Sequence, residues 1–404
     1  MEINNGRLSF WVSLLVFSFL IASQFSVHIF GMRLSAYRIV LLLAFFPVVN
    51  IYFSRIKKLP VDYFVFAVAG LMFVTMLINH GSDKLAYGAS QVLETIVPYL
   101  MGRVYIQNKA NLIAFADVLF KLIFLLLVPV IYESFTGYNL LIHPFGGEIF
   151  RSAQGYIRFG LYRAFGPFDH PILLGVFVTA GFALTTISKK NGIAKYLVVL
   201  AVSFTSISSA AYLMLAIQIA MLKIQRLAHA RLASFAAALI GLYIFINIFS
   251  NRTPMAVLSS YLSIDSVTAY YRILINRYAW ENVMQHPFIG IGLNDWARPD
   301  WMPPSIDNFW MLVAVQYGLI TLTCLVITVY LSLKSTYVNY DTSESIGIRV
   351  LLISIIVVLI TVDIWNVVYV FFWLIIGISN SLGQFKLPTP INELPHKDRL
   401  PSVT

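Results

Sequence analysis

The chain has 404 residues, a formal net charge of +10, 59% hydrophobic residues and 11% charged ones. A soluble domain carries about 25% charged residues, so this composition excludes an ordinary soluble protein and points to an integral membrane protein. Cys324 is the one cysteine, which excludes an intramolecular disulfide and a cysteine-held metal, and basic residues dispersed among apolar spans argue against nucleic acid as a partner.

A spanning helix needs about 20 mostly apolar residues. Such stretches run over 9–29, 34–53, 62–79, 88–106 and 112–132. The first lacks a small-residue cleavage site and more spans follow it, which predicts an uncleaved helix and not a signal peptide. Within these spans, ionisable residues are functional candidates by default. Glu94 lies towards the outer end of its span and is a candidate partner for an outer arginine. Arg103 follows it by about 13 Å along the helix, too far for a direct pair, and is expected to snorkel to the inner interface. Asp117 and Lys121 are four residues apart and are expected to neutralise each other. Arg38 and Asp363 lie near span ends, where interfacial placement suffices.

Further spans run over 171–187, 232–249, 308–333, 346–362 and 364–382. The stretch 191–226 is long for one helix, and its centre reads SFTSISS (203–209), a small polar run suited to a turn. Sidedness decides it. Lys and Arg prefer short cytoplasmic loops; Arg55, Lys57 and Lys58 mark one, Lys189, Lys190 and Lys195 a second, and Lys223, Arg226 and Arg231 a third. The second and third share a side only if the chain crosses twice between them. The reading is therefore two short helices, about 193–207 and 209–226, in a single all-α polytopic bundle of about twelve transmembrane helices. Both termini are then cytoplasmic, in agreement with Arg7 and with Lys386, Lys397 and Arg399 in a cytoplasmic tail over 384–404.

Two long polar segments, 133–170 and 250–307, fall outside. They carry Arg151, Arg158, Arg163, Arg252, Arg272, Arg277 and Arg298, and no lysine. Arginine in preference to lysine suits a planar fork that grips phosphate or carboxylate oxygens; surface solubility or contact with lipid headgroups is the plainer explanation for any single one.

RAFGPFDHP (163–171) closes the first outer segment. Pro167 and Pro171 stiffen the backbone around Asp169 and His170, so Arg163 is presented from a rigid turn as an anion grip. Asp169 or His170 would cap the following helix, with His170 also a candidate substrate contact. In the second segment, Tyr271, Leu274, Ile275 and Tyr278 fall at helical spacing and predict an amphipathic helix over 268–285, ended by Pro287. Arg272 and Arg277 are about 500° apart on it and cannot share a face; Arg272, near the helix start, is the chosen anion contact, with Arg277 a secondary candidate. His286 suits the helix C-terminus better than a base's role. Asp307, at the mouth of the span beginning near Asn308, reads equally as an N-cap or a general base. The rings of Tyr138, Tyr156, Tyr162, Trp296, Trp301 and Trp310 could stack on sugar faces or form an interfacial belt. HExxH, Walker A, GxSxG and a metal-carrying pair of aspartates are all missing.

LETIVPYLMGR (93–103), YESFTGYN (132–139), RFGLYRAFGPFDHPILLG (158–175), YYRILINRYAWENVMQHPFIGIGLNDW (270–296) and SIDNFWMLVAVQYGLI (305–320) together resemble the O-antigen ligase/polymerase superfamily. The likeness is greatest to its exopolysaccharide repeat-unit polymerases and covers roughly residues 90–320. The resemblance implies a GT-C-like ligase/polymerase architecture and metal-independent glycosyl transfer without a cofactor. It also implies a polyprenyl-diphosphate-linked oligosaccharide as donor and acceptor, and leaves room for a chain-length regulator as partner. By motif, Arg163 and Arg272 match the arginines that line the active site in the ligase branch, with Arg158 beside them. Where ligases commonly carry a histidine, this chain has Asp307, a departure that favours the polymerase branch. Ligation of glycan to a lipid core or protein is the nearest alternative, and a flippase for lipid-linked sugars the next. A flippase should spread its cations along a central pathway.

Overall fold

The computed structural model describes residues 8–29, 31–148, 156–188, 192–223, 266–338 and 342–384, with a few positions between 237 and 248. Most of the expected span 232–249, the tail from 385, and Arg7, Arg151, Arg226, Arg231, Arg252, Lys189 and Lys190 lie outside the described residues. In chain order the helices are α1 (Phe10–Ser18), α2 (Ala36–Arg55), α3 (Pro60–His80), α4 (Leu85–Tyr105), α5 (Lys109–Thr136), α6 (Pro171–Leu184), α7 (Gly192–Thr205), α8 (Ser209–Lys223), α9 (Ser266–Gln285), α10 (Phe309–Ser335), α11 (Ser343–Val358) and α12 (Asn366–Leu382). Among the described residues the strands form two small hairpins, β1 (Ser26–Ile29) with β2 (Met32–Ser35) and β3 (Ile157–Arg158) with β4 (Leu161–Tyr162).

Among the described residues, four stretches are long and apolar enough to cross a membrane: Ala36–Arg55, Pro60–Tyr105, Lys109–Thr136 and Phe309–Ser335. Shorter apolar helices cover Pro171–Leu184, Gly192–Thr205, Ser209–Lys223 and Asn366–Leu382. This fits an all-α membrane protein. The stretch Pro60–Tyr105 has 46 residues, about 69 Å as one helix and twice a bilayer core. A 3₁₀ turn at Gly81–Lys84 folds it into α3 and α4, which pack on each other.

The split of 193–226 is as expected: α7 ends at Thr205 and α8 begins at Ser209. The first span is not. Only Phe10–Ser18 is helical, and the rest of 9–29 leads into the β1–β2 hairpin. Ser23, Gln24 and Ser26 interrupt the apolar run there, and a short ladder satisfies backbone groups that a frayed helix would leave open.

α4 and α12 make the most intimate helix contact. A Cβ on Gly102 would lie 2.6 Å from the Ile378 nitrogen, so the glycine sets how closely the backbones approach. Two ion pairs, one of them fully buried, form near the end of the bundle where α4 finishes. Arg103 does not snorkel: it is fully buried, and its Nε donates to Asp62 Oδ1 at 3.1 Å and its Nη2 to the Lys57 carbonyl at 2.9 Å. Asp117 does not meet Lys121; it pairs with Lys195 at 2.6 Å across to α7. In both cases an opposite charge on a neighbouring helix takes the place of the expected arrangement.

α10 is broken. Gly318 takes φ 80° and ψ 170° inside it, and the loop 287–292 fills the break. Ile291 N–H donates to the Val315 carbonyl and Gly292 N–H to the Gln316 carbonyl, both at 2.9 Å, while Leu319 N–H donates to the Pro287 carbonyl at 2.7 Å. A broken helix at this depth survives because another backbone segment satisfies the freed groups. α9 then packs on the first half of α10 through Ile275, Ala279, Val283, Ala314 and Val315, so the amphipathic helix rests on the bundle.

Candidate active site

The turn at 163–170 is held from two sides. Glu133, buried in the last turn of α5, accepts the Gly166 N–H at 2.9 Å and Asn139 Nδ2 at 3.0 Å; Asn139 Nδ2 also donates to the Gly166 carbonyl at 2.7 Å. From the other side, the α7–α8 turn offers three successive carbonyls. Thr205 accepts Ala164 N–H at 2.9 Å, Ser206 accepts Arg163 Nε at 3.2 Å, and Ile207 accepts Arg158 Nη1 at 3.2 Å. The small polar run is therefore both a turn and the seat of two arginines.

Asp169 does not cap α6. Ser23 Oγ donates to its two oxygens at 2.7 and 2.8 Å, and Asn366 Nδ2 donates at 2.7 Å. His170 is the cap: Nδ1 accepts Ile172 N–H at 3.2 Å, which assigns the proton to Nε2. Burial first, and then Arg163 and Arg158, push its pKa down from 6.5 to about 4. The ring is neutral at pH 7 and packs among Tyr156, Phe165 and Trp365, an anchoring position in keeping with the capping role the sequence offered it.

Arg163 is 5% exposed, and no carboxylate pairs with it among the described residues. Burial and then Arg158 lower its pKa from 12.5 to about 10, so it remains cationic at neutral pH. Arg272 is 4% exposed. Burial lowers its pKa as well; Asp307 raises it and Arg158 lowers it. Residues from α9, from the β3–β4 hairpin, from the turn after it and from the start of α10 thus lie within range of one another's charge. Arg158 acts on both Arg163 and Arg272, and Asp307 acts on Arg272.

Asp307 is half-buried and is not the N-cap of α10. Asn308 takes that role: its Oδ1 accepts Met311 N–H at 3.1 Å and its Nδ2 donates to Asn276 Oδ1 at 3.1 Å. The Asp307 carboxylate is left available to the arginines.

Other candidates fall away from this cluster. Arg277 sits on the exposed face of α9 with Glu281 at 3.6 Å, away from Arg272, because five residues carry the helix about 500° round and leave the two about 140° apart. His286 is exposed just beyond α9 and donates its N–H to the Asn282 carbonyl at 3.1 Å. Trp310 packs on Phe309 and donates Nε1 to the Ile356 carbonyl at 3.4 Å. Among the described residues, Glu94 meets no arginine of 133–170 or 250–307; its Oε1 takes Arg38 Nε and Tyr37 OH, each at 2.7 Å, beside a neighbouring cavity of about 290 Å³. Sequence reasoning passed over Glu133, Asn308 and the carbonyls of 205–207. Glu133 left a signal, as a lone carboxylate at the end of an apolar span; backbone carbonyls leave none.

Among the described residues, no group of three or more His, Cys, Asp or Glu side chains is placed to hold a metal ion. No family model and no curated protein matches the chain.

Proposed function

We propose that this protein is a membrane glycosyltransferase that joins polyprenyl-diphosphate-linked oligosaccharide repeats into a surface polysaccharide. The observation that carries the reading is Arg163, buried without a carboxylate partner among the described residues and crowded by Arg158. Taking an unpaired charge out of water costs several kcal/mol. A bound diphosphate offsets that cost and suits the planar fork of arginine.

On this reading the acceptor hydroxyl oxygen attacks the anomeric carbon of the donor. The bond from that carbon to the diphosphate oxygen breaks, and the electron pair leaves with the diphosphate. Arg163 and Arg272 stabilise the charge as it develops, with Arg158 adding to the field. Asp307 takes the hydroxyl proton. Counting the short α1 and 232–249 as crossings gives twelve spans, and on that count both termini are cytoplasmic and the arginine cluster faces outward across the bacterial inner membrane. Arg158 and Arg163, which have no carboxylate salt bridge among the described residues, share one site with Arg272, whereas Arg103 and Lys195 are neutralised by Asp62 and Asp117, which supports catalysis at that site over passage of a charged sugar through the centre.

Deletion of the gene with analysis of surface glycan tests the reading. Glycan capped at a single repeat is the expected result. Full-length polymer left on its lipid would make the protein a ligase, and repeats trapped inside the cell would make it a flippase.

A further inference from the structure

Near Asp307 lies the cavity beside Glu94, walled by α2, α3, α4, α10, the 363–366 loop and α12. Its chemistry differs from that of the arginine cluster. Two carboxyl groups, Glu94 and Asp363, face one guanidinium, Arg38, and the rest of the polar wall includes the amide of Gln91. The Arg38–Glu94 pair leaves no surplus positive charge, so the wall does not invite a second diphosphate. Tyr87 and Trp365 add ring surface. At about 290 Å³ the space sits at the lower limit of ~300–1,000 Å³ for small-molecule sites, far too small for a polyprenyl tail.

One wall group is unsatisfied. Asp363 Oδ1 is buried and meets no hydrogen-bond partner among the described residues. A buried polar atom without a partner costs about 1–3 kcal/mol and is an exception that calls for a reason. The segment that carries it is held by force: Asn366 takes φ 50°, and its amide joins Asp169 at 2.7 Å while Tyr37 OH reaches its Oδ1 at 3.2 Å. The same Tyr37 OH reaches Glu94. This chain of hydrogen bonds ties the cavity wall to the turn that presents Arg163.

We propose that this cavity seats a neutral pyranose ring of the acceptor glycan, with the free oxygen of Asp363 holding one of its hydroxyls beside Asp307. The assignment to acceptor rests on the glycosyltransferase reading; recognition of a neutral sugar rests on the cavity alone. Burial, and to a lesser degree Asp307, raise the Asp363 pKa from 3.8 to about 8. At neutral pH the carboxyl therefore keeps its proton and can both donate to and accept from a hydroxyl. Trp365, 37% exposed at the rim, offers a face for the ring.

Saturation-transfer NMR on the full-length protein in nanodiscs, with a panel of methyl α- and β-pyranosides as probes, tests the inference. The wild type should bind at least one member. Asp363→Asn and Trp365→Ala should each weaken it at least ten-fold, and the second substitution, at an exposed position, leaves the fold intact. Both variants should bind undecaprenyl diphosphate as the wild type does, whereas Arg163→Ala should not. No transfer to any pyranoside, or equal transfer in wild type and both variants, overturns the assignment. If pyranosides bind as expected but gene deletion leaves surface glycan unchanged, the sugar site stands and the polymerase reading falls.

Discussion

Arg163 donates its Nε to the carbonyl of Ser206 at 3.2 Å, and the next residue, Ile207, is turned to φ 40°. A β-branched residue in that region is strained by roughly 1–3 kcal/mol. The strain aims successive carbonyls at the arginines and fixes the guanidinium by its inner nitrogen, so the two outer nitrogens can grip an anion. Lysine has a single point of attachment and cannot do both. Arg163→Lys and Arg272→Lys should each lower polymerisation of lipid-linked repeats at least ten-fold at unchanged membrane abundance, about 1.4 kcal/mol of transition-state binding. Arg277→Lys, on the exposed face, should stay within about two-fold of wild type by the same reckoning. Full activity in Arg272→Lys removes it from the grip.

Asp307 and Asn308 divide two tasks that adjacent residues often share. Asp307→Asn keeps the size and polarity of the side chain but not the proton-accepting carboxylate. It should preserve abundance and thermal stability, since Asn308 does the capping, and leave single repeats on the carrier. Asn308→Ala should destabilise by about 1 kcal/mol through loss of the cap, read as a lower Tm in purified protein. Near-normal polymer from Asp307→Asn would send the search for the base elsewhere.

A Cβ at position 318 would collide with the Phe288 carbonyl, at a φ of 80° that other residues rarely adopt. Gly318→Ala should therefore expel the 287–292 loop from the break in α10 and reduce folded protein in the membrane severely. Wild-type abundance of this variant would show that α10 can run unbroken.

His170 couples the site to pH. Its pKa falls from 6.5 unfolded to about 4 folded, so between those values the unfolded chain holds a proton that the folded chain lacks. Stability is then fully present above pH 6.5 and is lost as pH falls towards 4, by up to about 3 kcal/mol at ~1.4 kcal/mol per unit. Asparagine caps a helix without titrating. The Tm of wild type should drop further than that of His170→Asn between pH 7 and 4.5, and parallel curves would show that the imidazole carries none of the dependence.

Apolar runs of about 20 residues made most of the helices legible, because a bilayer demands them. The polar run 203–209 gave away the α7–α8 turn, and helical spacing separated Arg272 from Arg277. The β1–β2 hairpin and the break at Gly318 were hidden inside runs that read as continuous spans. Their backbone groups are satisfied by segments that no local pattern can identify, as when residues 287–292 serve α10.

What the sequence by itself determined is composition-level and periodic: a helical membrane protein, two long polar segments with arginines and no lysine, and the separate helix faces of Arg272 and Arg277. Only the tertiary structure decided the partners. Arg103 chose Asp62, Lys195 chose Asp117 and Arg38 chose Glu94, each across helices, because burial makes an unpaired charge costly and the nearest opposite charge in space is seldom the nearest in sequence. The same rule left Arg163 without a carboxylate among the described residues and Asp363 with an idle oxygen, and those two exceptions are where the chemistry is proposed.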